Sequence, residues 1–313
     1  MMLARVADSL YWIGRYVERA EHINRLSDVM LTATLDQNDA AVAVARVALA
    51  AVGDSDERHQ QAPFEAVRDL VFDRENSGSV VTSLALAREN ARQVRDQITT
   101  EMWERLNLLF LRMTDSRAER AFANGSSAFL HEVIADLHMF KGAADATMSH
   151  GEGWRFLLVG VYLERAQLIA RLLDVCFGDR AGARTLTDHV TQMAVLRMAC
   201  ALEPYLRIYT AEIDPRRLLE FLLFDEDFPR SIRFATSRIE EHLTGLARRD
   251  QASARTGPDR LAARLNARLE FADMDDGLRA GALLAAVVDD CSRIHHAIFD
   301  TFVAYPLEER LPA

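Results

Sequence analysis

Residues 14–29, GRYVERAEHINRLSDV, return at 160–175 as GVYLERAQLIARLLDV, with ten of sixteen positions identical. The first segment sits inside an apolar series (Leu3, Val6, Leu10, Ile13, Val17, Ala20) that steps by three and four residues. That spacing keeps one face of a helix apolar without interruption. A chain that writes such a segment twice must accommodate two long helices of one design. A second pair of blocks, VFDRENSGSV at 71–80 and LFDEDFPRSI at 223–232, follows in the same order. The offsets are 146 and 152 residues. The sequence therefore predicts an internal duplication: a first helical repeat over 1–150 and a second over 151–313, sharing one core. A unit that pairs with its own copy does so about a pseudo-twofold axis, and the two Glu-Arg helices are the natural pair to flank it.

The rest of the chain points the same way. No stretch alternates at period two, so strands are not expected. The predicted fold is an all-α bundle of about ten helices. Ser77 or Ser79 is expected to cap a long helix running to about residue 110, Pro63 to open a short one, and Asp214-Pro215 to start another. Cys176, Cys200 and Cys291 lack metal-ligand spacing and sit among apolar residues, which suits small buried hydrophobes.

Thirty-seven basic residues face 47 acidic ones, a formal charge of −10. Without a basic cluster, nucleic acid is not an expected partner. No apolar run reaches the ~20 residues of a membrane span. Asp8 interrupts the N-terminus too early for a signal peptide, so the expectation is a cytoplasmic chain with no membrane partner. His131 and His138 are two helical turns apart, and no Walker, dinucleotide or nucleophile-elbow motif is present. No metal or other cofactor is predicted.

On a helical wheel with Val17 at zero, Glu18, Glu21, Arg25 and Asp28 form a polar line between roughly 20° and 100°. The second copy writes Glu164, Gln167, Arg171 and Asp174 there. Glu21–Arg25 is a favourable i,i+4 pair, and Arg25–Asp28 and Arg171–Asp174 are i,i+3 pairs. Arg19 and Arg165 point elsewhere, beside Tyr16 and Tyr162. If the two helices cross, Glu18 meets Arg165 and Glu164 meets Arg19. Two readings stay open. The cluster is either an inter-helix clasp of ion pairs or a site. In a site, Glu18 and Glu164 would do acid–base work, and the tyrosines and guanidiniums would bind a carboxylate or phosphate.

MLARVADSLYWIGRYVERAE, ARENARQVRDQITTEMWERLN, GWRFLLVGVYLERA and EFLLFDEDFPRSIRF together resemble the bacterial alpha-E domain family, named for its helices and its Glu-Arg motif. The chain departs from the family's habit at Ala235, where a Cys often follows SIRF, and at NSGSVV. The resemblance implies partners encoded beside or fused to the domain: circularly permuted ATP-grasp proteins resembling amide ligases, transglutaminase-like peptidases and proteasome-like hydrolases. The implied role is an accessory or scaffold in making or modifying a peptide-like metabolite. The alternative is a stand-alone enzyme acting on such a substrate through the Glu-Arg cluster.

Overall fold

A computed structural model describes residues 2–34, 39–54, 56–178, 188–209, 212–250, 257–272 and 280–304. In its first half the helices are α1 (Ala4–Thr34), α2 (Asp39–Ala51), α3 (Glu57–Gln61), α4 (Pro63–Phe72), α5 (Val80–Gln93), α6 (Thr100–Thr114), α7 (Ala118–Asn124) and α8 (Ser126–Thr147). In the second they are α9 (Glu152–Phe177), α10 (His189–Met198), α11 (Leu202–Ile208), α12 (Pro215–Phe224), α13 (Ile232–Asp250), α14 (Pro258–Glu270) and α15 (Ala280–Ile298). A π-helical turn, Phe299–Val303, ends the described chain, and no strand occurs among the described residues.

The fold is all-α, with fifteen α-helices among the described residues where about ten were expected. The excess comes from the short helices α3 and α7 and from a break that periodicity does not register. The long helix expected from Ser79 stops at Gln93, because Thr99 turns its side chain to the Met102 amide and caps a new helix, α6. Elsewhere the local signals hold. Ser79 caps α5, Asp214 caps α12, and Pro63 and Pro215 occupy first-turn positions, where a missing N–H costs nothing.

The two Glu-Arg helices lie at the centre. Eighteen residues are buried in each of α1 and α9, so both are enclosed on nearly all sides. They run parallel: Leu10 is level with Gly153, Gly14 with Leu157, and Glu18 with Arg165. Two glycines set their separation. A Cβ on Gly14 would stand 2.1 Å from the Leu157 carbonyl oxygen, and one on Gly160 would stand 2.1 Å from that of Tyr11. The contacts are reciprocal, since Tyr11 and Leu157 are themselves 146 residues apart. Around this pair, α4, α5 and α8 pack on α1, and α13 and α15 pack on α9. One apolar core runs through both halves, from Val6 to Ile298.

Candidate functional site

Beyond the glycines, the junction of α1 and α9 is lined with charge. Arg165 Nε donates to Glu18 Oε1 at 2.7 Å and its Nη2 to Glu18 Oε2 at 2.9 Å, while Arg19 Nε donates to Glu164 Oε1 at 2.7 Å. The exchange expected from the repeated segment is thus present in both directions. Each guanidinium also stacks on the tyrosine three residues earlier, Arg19 at 5.5 Å from the Tyr16 ring centre and Arg165 at 5.2 Å from that of Tyr162. Glu18 is 0% and Glu164 2% exposed, whereas the Arg19 side chain keeps 24%.

Five further charged residues complete the cluster. Arg15 donates through Nε to Glu164 Oε2 at 2.5 Å, through Nη1 to Tyr11 at 2.9 Å and through Nη2 to Gln167 at 2.6 Å. Glu21, fully buried, accepts from Arg25 and from Arg230. Arg230 also reaches Glu18 at 3.3 Å, and Lys141 of α8 binds Glu18 and Glu21 together. Arg165 Nη1 finishes on the Pro229 carbonyl at 2.9 Å. Three carboxylates thus face six cations.

Arg15, Lys141 and Arg230 were missed in the sequence. Val161 stands opposite Arg15 in the repeat and Gly78 opposite Arg230, so neither cation recurs. Lys141 carried a signal that went unused, as the only lysine among 37 basic residues.

Two expected contacts need correcting. Asp28 does not pair with Arg25 but accepts from Ser127 at 3.1 Å and meets His131 at 3.1 Å, because α8 packs against that side of α1. Arg171 and Asp174 both lie exposed and form no ion pair with each other among the described residues. Gln167, in the place of Glu21, gives its oxygen to Arg15 and has no charge to hold Arg171.

The charges shift one another. Burial alone pushes Glu18 up, but Arg165, Lys141 and Arg230 outweigh it and hold the carboxyl well below the usual range. Lys141 and Arg230 do the same for Glu21, and Arg15 and Arg19 lower Glu164. His22, buried beside Arg230, is pushed down to about 4, and its Nε2 has no hydrogen-bond partner. Tyr11 accepts from Arg15 and shares a hydrogen bond of 2.8 Å with His295 Nδ1. Burial and Arg15 lower His295 to about 4, so its ring is neutral at pH 7.

Two open clefts flank the clasp. One, of about 690 Å3, has Arg19, Glu164 and Arg171 on one wall and Asn76, Ser77 and Gly78 on another. The other, about 470 Å3, lies between Arg25, His131, His138 and α10. Among the described residues, no three His, Cys, Asp or Glu side chains gather to hold a metal. No described helix is long and apolar enough to cross a membrane.

The molecule is defined by two parallel helices whose Glu-Arg pairs bind each other across a buried junction. It belongs to the Alpha-E family, described as a predicted alpha-helical domain with a conserved ER motif, which matches residues 2–303. Uncharacterized proteins of Mycobacterium bovis and Mycobacterium tuberculosis are each 26% identical over 349 aligned positions, covering 96% of this chain. The chain spans 37% of the length of those relatives. No solved structure matches it.

Proposed function

We propose that the chain is a helical accessory or scaffold protein working with a circularly permuted ATP-grasp-type amide ligase, in the cytoplasm, on a peptide or peptide-like metabolite. Transglutaminase-like and proteasome-like proteins are further partners on this reading, which rests on family membership. We also read the chain as two diverged copies of one unit.

The observation that carries the accessory reading over the enzyme is the state of the carboxylates. All the oxygens of Glu18 and Glu164 are engaged by cations. Both groups are held ionised far below neutral pH, with no proton to donate and little basicity to use. The relatives carry this domain within longer chains, which fits a domain that works beside another. Affinity purification from the native cell tests the proposal. Recovery of an ATP-grasp ligase whose turnover depends on this chain supports it. Turnover by the isolated chain that Glu164→Gln abolishes while the fold is kept would transfer the function to the cluster itself.

A further inference from the structure

We propose that the 690 Å3 cleft at Arg19 and Arg171 binds a small anion through paired oxygens, a carboxylate or a phosphate group. The inference stands apart from the accessory reading and from any partner.

It comes from comparing the two loops that close on the clasp. Residues 73–79 and 225–231 fold alike: Ser79 N donates to Asn76 O and Ser231 N to Phe228 O, at 3.0 and 2.9 Å. The Glu75 amide donates to Asp73 Oδ1 and the Asp227 amide to Asp225 Oδ1, at 2.9 and 3.0 Å. Ser79 and Ser231 then each accept from an amide three residues on. In the second loop Arg230 fills the space against Glu18 and Glu21, and Pro229 accepts from Arg165. The first loop lies against the corresponding residues, Glu164 and Arg19, but has Gly78 where the second has Arg230. The space that a guanidinium fills on one side is open cleft on the other.

The charges left in that cleft are positive. Glu164 is matched by Arg15, so Arg19 is in excess. Only Nε of Arg19 has a described acceptor, whereas all three nitrogens of Arg165 are engaged. Arg171 corresponds to Arg25, but Gln167 replaces the glutamate that Arg25 binds, leaving Arg171 exposed with no described partner. Asp54 and Asp56, which also line the cleft, are engaged by His59 and Arg58. Two guanidiniums with free forks on one wall suit an acceptor with two oxygens.

Calorimetric titration of the full chain with inorganic phosphate and, separately, succinate tests this, at constant ionic strength against a chloride control. Saturable one-to-one binding of at least one anion is expected, and the one that binds tells phosphate from carboxylate. Arg171→Ala and Gly78→Met, which fills the cleft without charge, are each expected to weaken binding about tenfold or more, ~1.4 kcal/mol. Gly78→Ala is expected to stay within about threefold, since its Cβ would meet only Asn76 Oδ1, at 3.2 Å, and Gly78 has no left-handed φ. If Gly78→Met does not fold, Arg171→Ala decides alone, because that side chain is exposed and supports nothing. The proposal is overturned if neither anion saturates above the control, if Arg171→Ala leaves affinity unchanged, or if Gly78→Ala loses as much as Gly78→Met.

Discussion

Lys141 bridges Glu18 and Glu21 from α8, and with Arg165, Arg230 and Arg25 it keeps two adjacent buried carboxylates ionised. Removing one of those charges strands the others in a dry interior. Glu18→Gln is therefore expected to lower unfolding stability by about 3–5 kcal/mol, read by urea denaturation; a loss under about 1 kcal/mol contradicts the clasp. His22 makes the pH dependence specific. Its folded pKa of about 4 lies below the ordinary value of 6.5. Below pH 6.5 the unfolded chain gains a proton that the folded chain refuses, so stability falls until about pH 4, by roughly 1.4 kcal/mol per unit. The three glutamates, with lowered pKa values, add a second loss that begins below about 4.5. Thermal unfolding at pH 7, 5.5 and 4 should show a falling midpoint. His22→Leu, which copies Leu168 in the second segment, should lessen the slope between pH 6.5 and 4.5 by about 1.4 kcal/mol per unit, leaving the share of His295 and His242, which are also lowered to about 4, and the steeper acid limb. An unchanged slope in that variant shows that His22 is not its source.

The crossing of α1 and α9 depends on bare backbone at two points. Gly14→Ala would drive a methyl into the Leu157 carbonyl, and no flexible side chain is there to yield. The helices must move apart, and with them the ion pairs one turn further on. A loss of at least about 2 kcal/mol is expected, or failure to fold, measured by circular dichroism melting; a wild-type midpoint would show that the close approach is not needed. This crossing also marks what the sequence could and could not tell. Glu18–Arg165 and Glu164–Arg19 were readable because both members of each pair lie in the repeated segment, where the wheel turns them from their own helix. The contribution of Gly14 and Gly160 was not, since periodicity scores a glycine only as a weak helix former. Arg230 and Lys141 lie 212 and 123 residues from Glu18, and no local pattern reports a contact across that distance. The break at Thr99 was missed for a different reason: apolar spacing continues through it while a cap ends the helix.

In the whole molecule one apolar core joins both halves, and the charged junction sits inside it. Apolar packing encloses α1 and α9; the ion pairs hold them in one register, because a slide of one residue would bury unpaired charges. The all-α class was legible from composition and spacing, and the reciprocal contacts of the central helices from the repeat. The cleft at Arg19 and Arg171 was not, because it arises where the segments differ, at Gly78 against Arg230 and Gln167 against Glu21. The central claim is that Glu18 and Arg165 act on each other to hold the two helices. A double-mutant cycle of Glu18→Gln and Arg165→Met, with stability read by urea unfolding, tests it most directly. The account predicts a coupling energy of at least about 1.5 kcal/mol, the double variant losing far less than the two single losses combined. Additivity within about 0.5 kcal/mol would contradict it.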